Sequence, residues 1–225
     1  MARHTRDSLT VDLFGDYAAP DVWQESLDVG VSIFHRYAQP TESALLEAVQ
    51  SVITLAPFRH MQTPGGFHMS VAMTNCGLYG WISDKKGYRY SALDPMTKQP
   101  WPCLPPIFLK LANETANQAG FPDFIPDACL INRYEPGARL SLHQDNNERD
   151  LTQPIVSVSL GLPAVFLFGG IHRNDKTRRI TLQHGDVIVW GSSARLRYHG
   201  VLPLKTGNHD LLGAQRINLT FRKAA

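Results

Sequence analysis

His143-Gln144-Asp145 sets an imidazole and a carboxylate two positions apart, and residues i and i+2 of a β-strand share one face. His199, in Tyr198-His199-Gly200 shortly after Trp190, is a third candidate ligand. Two His and one carboxylate make the facial set that holds Fe(II) and leaves coordination positions open for oxygen chemistry. A chain with nine His also produces such a triplet by coincidence, so the motif needs support from elsewhere. Calcium is the poorer reading: Asp145-x-Asn147 opens like an EF-hand loop, but Asp150 stands where the Gly belongs and Val156 at the twelfth position.

Support comes from the segment Arg216-Ile217-Asn218-Leu219-Thr220-Phe221-Arg222, which alternates strictly. Ile217, Leu219 and Phe221 face one way; Arg216, Asn218, Thr220 and Arg222 face the other. Turned inward, a row with two Arg needs an anionic partner. Two guanidinium forks at i and i+6 suit the two ends of a small dicarboxylate. Turned outward at a sheet edge, the row needs no ligand, and this segment alone leaves both orientations open. Arg139, Ser141, His143 and Asp145 likewise share one face, with Leu140 and Leu142 on the other. Asn132 and Tyr134 share parity with Leu130.

These groups must be positioned by a scaffold, and the periodicity sketches one. Apolar residues Leu45, Ala48, Val49, Val52 and Ile53 predict a helix over 41–56, entered at Pro40-Thr41 and stopped by Pro57. A second helix is predicted over 105–119, with prolines at its start and Gly120 after its end. From 128 onward the period becomes two. Strands are predicted over 128–134, 138–145, 155–160, 165–168, 179–182, 186–190 and 216–221, with turns at Glu135-Pro136-Gly137 and His184-Gly185-Asp186. Two early helices and many late strands predict an α+β fold whose catalytic half is an antiparallel barrel or double-sheet jelly roll. The Gly-rich, aromatic stretch 63–91, with Phe67, Tyr79, Trp81, Tyr88 and Tyr90, predicts an irregular hairpin cover or a mobile lid.

The 225 residues are 43% hydrophobic and 19% charged, which fits a globular chain and excludes a disordered or polybasic-tail protein. The net charge of +2 hides an uneven split: residues 1–50 carry three Arg against eight acids, and residues 51–225 carry 19 bases against 12 acids. Chance clustering gives such a split as readily as a basic face does. Cys76, Cys103 and Cys129 are odd in number and lack CxxC spacing, which argues against a disulfide framework or zinc ribbon and predicts a reducing cytoplasm. The most apolar stretch, 158–171, is interrupted by Gly and Pro and is too short for a bilayer, and residues 1–16 lack an apolar signal core.

The chain resembles the bacterial AlkB family of Fe(II)- and 2-oxoglutarate-dependent nucleic acid dealkylases, from roughly residue 13 to residue 222. The most specific stretches are Thr63-Pro64-Gly65-Gly66, the run from Met69 to Gly77, Pro122-Asp123-Phe124, Leu130-Ile131-Asn132-Arg133-Tyr134, Leu140-Ser141-Leu142-His143-Gln144-Asp145, His184-Gly185-Asp186-Val187 and Asn218-Leu219-Thr220-Phe221-Arg222. The resemblance implies a double-stranded β-helix (jelly-roll) core with N-terminal helices and a hairpin nucleotide-recognition lid. It divides one domain, 1–225, into an N-terminal extension and helix (1–60), a substrate lid (61–100) and a helix with the catalytic core (101–225). It implies Fe(II) on His143, Asp145 and His199, with O2 and 2-oxoglutarate as cosubstrates. Arg222 would meet the far carboxylate of 2-oxoglutarate and Arg216 the near one; Asn132, Tyr134 and Asn218 would add hydrogen bonds, and Trp190 would wall the pocket. Trp81 would stack on a flipped base with His143 on its other face. Tyr88, Arg139, Ser141 and Gln144 would meet the nucleic acid backbone, and Met73 and Arg173 would border the base.

The implied activity is removal of alkyl groups from bases such as 1-methyladenine and 3-methylcytosine, releasing formaldehyde as 2-oxoglutarate becomes succinate and CO2. The implied partner is alkylated DNA, single-stranded by preference, with RNA as a further substrate; the expected state is a cytoplasmic monomer without membrane attachment. Two alternatives keep parts of the pattern: an oxygenase of a protein or small molecule, and a nucleic-acid-binding module with a vestigial metal site. One departure is visible. Where the family carries Lys and then an acid after His-Gln-Asp, this chain has Asn146 and Asn147. The expected consequence is altered backbone contact and a weaker bias toward cationic bases.

Overall fold

The computed structural model describes residues 22–225. The first part of the acidic N-terminal section, and the segment read as lacking a signal core, lie outside the described residues. The strands are β1 (Trp23–Asp28), β2 (Val31–His35), β3 (Arg59–Gln62), β4 (His68–Gly77), β5 (Gly80–Asp84), β6 (Gly87–Ser91), β7 (Ala128–Tyr134), β8 (Leu140–His143), β9 (Ile155–Gly161), β10 (Ala164–Phe168), β11 (Arg178–Leu182), β12 (Val187–Trp190), β13 (His199–Val201) and β14 (Arg216–Arg222). The helices are α1 (Glu42–Leu55) and α2 (Pro106–Gln118). Eight strands form one sheet in the order β1-β2-β12-β9-β14-β7-β4-β3, four form a second in the order β11-β10-β13-β8, and β5-β6 stand apart as a hairpin.

Both helices form where apolar spacing predicts them. α1 buries Leu45, Val49 and Val52, and α2 buries Phe108, Leu111, Ala112 and Ala116. Pro occupies the start of α2, and Gly120 follows its end at φ +88°, the left-handed conformation that a helix stop favours. These faces pack on the large sheet against Val156, Val158, Leu160, Val187, Val189, Ile217, Leu219 and Phe221. Each of these residues has a neighbour pointing the other way. On that opposite face Ile188 and Trp190 meet Ala164, Phe166, Phe168, Ile180, Leu182 and Val201 of the smaller sheet. The large sheet is therefore sandwiched, and the polar row of β14 lies inside. Arg216, Asn218, Thr220 and Arg222 are all buried, which removes the solvent-edge orientation.

From β7 to β14 the chain switches between the two sheets at every step but β10–β11, a hairpin within the smaller sheet, and every pair is antiparallel. This matches the α+β expectation and is consistent with a jelly-roll core. Three details differ from the sequence reading. The stretch 61–100 is not one unit: β4 is an inner strand of the large sheet, paired with β7 from Ala72–Arg133 to Gly77–Ala128. Only β5 and β6 lie outside that sheet. The strand predicted over 138–145 is shorter and ends at His143, because β8 pairs with the three-residue β13 alone. The strands β1 and β2 carry no prediction: β1 is a polar, largely exposed edge strand. Cys76 and Cys129 are cross-strand partners in β4 and β7, both buried and unbridged. No helix among the described residues is long and apolar enough to cross a membrane.

Candidate active site

β8 ends on His143 and β13 begins on His199, and the pairing of these strands sets the two His opposite one another. Their rings lie 4.4 Å apart between centroids. Asp145 is past the end of β8, so its approach comes from the loop and not from the strand alternation that the i, i+2 spacing suggested. The ligand-type atoms of His143, Asp145 and His199 all lie within 4.8 Å of one another. Nδ1–H of His143 donates to the Ser141 carbonyl at 2.9 Å, and Nδ1–H of His199 donates to the Arg197 carbonyl at 3.0 Å. Each imidazole is thereby tied by the backbone two residues before it, which leaves Nε2 with its lone pair toward the shared centre. Asp145 Oδ2 accepts from Arg222 Nη2 at 2.6 Å and Nε at 2.9 Å. Its Oδ1, 3.7 Å from His143 Nε2, remains for a metal. This donor set suits a divalent transition ion.

Electrostatics keep His143 and Asp145 in ligand form. Burial, reinforced by the neighbouring His199, pulls the His143 imidazole down to about 4. Burial works against the Asp145 carboxylate, but Arg222, His199 and His143 together outweigh it and hold the group well below the usual carboxylate range. Both depressed values mean that the folded protein binds fewer protons than the unfolded chain, so stability falls as pH falls. For His143 the window runs from the ordinary 6.5 down to about 4. We predict that the thermal midpoint of the metal-free protein drops between pH 7 and pH 4.5 and that His143→Asn reduces this drop. An equal drop in both proteins contradicts it.

A cavity of about 720 Å³ opens over these ligands and brings together every residue singled out for the site. At its deep end Arg216 is 2% exposed. Its Nη2 donates to Ser159 Oγ at 2.9 Å and its guanidinium lies 5.1 Å from the Tyr134 ring, but its Nε and Nη1 have no partner among the described residues. Burial lowers its basicity, yet an Arg side chain stays charged. Asn132 Oδ1 and Trp190 Nε1, also in the cavity wall, lack partners too. A buried cation beside unsatisfied polar atoms suits an anionic ligand, and a 2-oxoglutarate carboxylate fits that chemistry.

The geometry reverses the expected order of the two Arg. Arg222 is bound to Asp145 and so flanks the metal ligands, which puts it at the near end of any metal-chelating dicarboxylate. Arg216, six residues and about 20 Å of strand away between Cα atoms, is the unpaired one and faces the far end. Asn218 also differs from expectation. Its amide hydrogens go to Ser157 Oγ and the Val158 carbonyl, and its Oδ1 accepts from Thr220 and Asn132, so it braces the wall instead of presenting a free donor. Trp190 stands against the His199 ring at 5.1 Å, as a pocket wall should.

At the mouth, Trp81 of β5 stacks on Tyr88 of β6, with centroids 5.5 Å apart and planes 14° apart. Asn75 clamps the Trp81 backbone from both sides, accepting from its N–H and donating to its carbonyl. The Trp81 indole N–H donates to Asn147 Oδ1 at 3.1 Å. Met73 is a buried wall residue, while Arg139, Ser141 and Arg173 are exposed at the rim. The structure alters the expectation for Gln144: its amide nitrogen donates to the Leu196 and Ile171 carbonyls, so it ties two loops together behind the site. Sequence reasoning missed Asn75, Ser157 and Ser159. The alternation of 155–160 carried the signal for the two serines, whereas Asn75 sits in a strand with no visible period.

The 2OG-Fe(II) oxygenase superfamily model matches residues 30–222. The alpha-ketoglutarate-dependent dioxygenase AlkB of Escherichia coli (strain K12) is 56% identical over 214 residues, covering 95% of this chain and 98% of that protein. A DNA N(6)-methyladenine demethylase of Arabidopsis thaliana, ALKBH1C, is 34% identical over 128 residues, covering 51% of this chain and 28% of that protein. The solved structure of OsALKBH1 matches with a TM-score of 0.76 at 26% identity, covering 89% of this chain and 100% of that one.

Proposed function

Since the chain belongs to the 2OG-Fe(II) oxygenase superfamily, and within it to the AlkB dioxygenases, we propose that it removes alkyl groups from the ring nitrogens of nucleic acid bases, in DNA first and RNA second. It is a 2-oxoglutarate-dependent dioxygenase that uses Fe(II) and O2. When bound, the metal with 2-oxoglutarate and O2 supplies oxidising power: one oxygen atom enters an alkyl C–H bond, the other ends in succinate, and CO2 leaves. For a methyl group the hydroxylated carbon then departs as formaldehyde: the C–N electron pair stays on the ring nitrogen, and the hydroxyl proton goes to solvent when the alkylated base is cationic, or to the base when it is neutral.

The residues of this chain do the holding and orienting. His143, Asp145 and His199 hold the metal. Arg216 receives the far carboxylate of 2-oxoglutarate, with the Tyr134 ring beside it, while Arg222 holds Asp145 and the near end. The observation that carries the nucleic acid reading is the mouth of the cavity. A stacked Trp81–Tyr88 pair lines the cavity of the ligand triad with exposed Arg139 and Arg173, and the turn between β5 and β6 carries exposed Lys85 and Lys86. An aromatic face suits a planar base, and the bases around it suit phosphates. A base taken out of the stack costs a few kcal/mol, less where alkylation already blocks pairing, which supports a single-strand preference. The β5–β6 hairpin serves as the nucleotide-recognition lid of a jelly-roll enzyme that works as a cytoplasmic monomer.

Asn147 tunes which base is accepted. The indole N–H has no acceptor capacity, so it fixes the amide oxygen toward Trp81 and leaves a neutral NH2 donor where a carboxylate would favour a cationic ring. Asn147→Asp is predicted to raise turnover of 1-methyladenine relative to a neutral etheno base by about tenfold, an ionic contribution of roughly 1–2 kcal/mol. An unchanged ratio overturns this assignment. The function itself is tested with a panel of alkylated single- and double-stranded oligonucleotides scored for repaired base. Succinate formation that no oligonucleotide stimulates contradicts it.

A further inference from the structure

Behind the metal ligands lies a buried group of charges of which the chemistry above uses only Arg222. Glu148, in the loop after Asp145, has a carboxylate only 1% exposed. It pairs with two Arg: Arg195 Nη2 at 3.1 Å and Arg222 Nε at 3.5 Å. Each Arg holds a different part of Asp145. Arg222 grips the carboxylate Oδ2, and Arg195 Nη1 donates to the backbone carbonyl at 2.6 Å. Glu148 therefore fixes both ends of one metal ligand. The remaining contact on Glu148 comes from the hairpin: the Tyr90 hydroxyl donates to Oε1 at 2.6 Å. Tyr90 is two residues after Tyr88 on β6 and on the same strand face. The hairpin that carries Trp81 and Tyr88 is thus tied through one hydrogen bond to the orientation of Asp145.

We propose that Glu148 and Tyr90 are positioning residues for the metal centre: Glu148 holds Asp145 in its ligating pose through Arg222 and Arg195, and Tyr90 makes the placement of the β5–β6 hairpin part of that hold. The charge balance gives the direction. Asp145 and Glu148 offset Arg195 and Arg222, so a divalent ion meets a neutral cluster. Neutralising Glu148 leaves a net positive one that repels the ion and lets Arg222 draw on Asp145 alone. Coupling is reciprocal: metal binding must steady the hairpin as much as the hairpin favours metal. The inference rests on the ligand triad alone and stands or falls independently of the nucleic acid reading.

The test uses the full chain and Mn(II), a redox-silent probe, without any nucleic acid. Outer partners of metal ligands typically contribute about 10- to 100-fold to metal affinity. Glu148→Gln is expected to weaken Mn(II) binding by about that factor. Tyr90→Phe, which keeps the ring and loses only the hydroxyl, is expected to weaken it about three- to tenfold, and this effect should shrink in the Glu148→Gln background because both act through one route. Amide exchange across residues 80–91 is expected to slow on Mn(II) loading in the parent but not in Tyr90→Phe. If Glu148→Gln does not fold, Tyr90→Phe carries the test through both readouts. Folded variants whose Mn(II) affinity stays within about twofold of the parent, or equal slowing of the hairpin in parent and Tyr90→Phe, overturn the proposal.

Discussion

Arg216→Met is expected to make the metal-free protein more stable and the cosubstrate almost unable to bind. The two effects have one cause. Arg216 is a buried guanidinium with two nitrogens unpartnered among the described residues, held in readiness for an anion. Replacing an uncompensated buried charge with an apolar side chain of similar length stabilises by about 1–3 kcal/mol, which in a chain of this size raises the thermal midpoint by roughly 2–4 °C per kcal/mol. The same change leaves the far carboxylate of 2-oxoglutarate buried and unpaired, at a cost of about 3–5 kcal/mol, so affinity should fall about 10²- to 10³-fold. Divalent metal binding should survive, because the triad does not touch Arg216. Calorimetric titration of 2-oxoglutarate into the Mn(II)-loaded variant, with melting of the metal-free form, checks both halves. Normal 2-oxoglutarate affinity in Arg216→Met would mean that the far carboxylate lies elsewhere. Arg222→Met should behave in the opposite way, losing stability and metal together, since it strands Asp145 and Glu148.

Asp145→Ala is expected to reduce turnover to its metal-free level. Partners that merely orient a ligand contribute about 10- to 100-fold to metal affinity, so removal of the carboxylate ligand should exceed about 100-fold. It also deprives Arg222 of two charge-assisted hydrogen bonds. The Arg195 contact to the backbone carbonyl can persist, so the stability loss falls mainly on Arg222, at about 1.5–3 kcal/mol. Anaerobic titration of Fe(II) with 2-oxoglutarate present, followed by its metal-to-ligand charge-transfer absorption, checks the first effect, and melting checks the second. Full-strength absorption in Asp145→Ala would remove this residue from the ligand set.

The site was legible in the sequence where side chains alternate along regular strands and illegible where loops bring residues together. β14 has one apolar and one polar face, so its Arg row could be read before any contact was known. Which Arg faces the metal could not, because Arg222 finds its partner in Asp145, a loop residue beyond the end of β8. Glu148, Arg195 and Tyr90 escaped for the same reason: no period governs a loop, and a lone Tyr in an aromatic-rich hairpin looks like its neighbours. β4 was hidden by being covered on both faces. Val71 and Met73 point to the space between the sheets and Ala72 and Cys76 to the other side, so apolar residues run on without alternation. β1 failed from the opposite side, as a polar edge strand has no buried face to declare it.

The account turns on one event, the oxidative removal of an alkyl group from a base seated between Trp81 and the ligand triad. The direct measurement is a quenched reaction of the Fe(II)-loaded enzyme with O2, 2-oxoglutarate and an oligonucleotide carrying a single 1-methyladenine, quantifying succinate, formaldehyde and unmethylated adenine together. The expected result is equal amounts of all three, with formaldehyde and repaired base absent when the oligonucleotide is unmethylated. Succinate formed without formaldehyde or repaired base, at a rate indifferent to methylation, would contradict it.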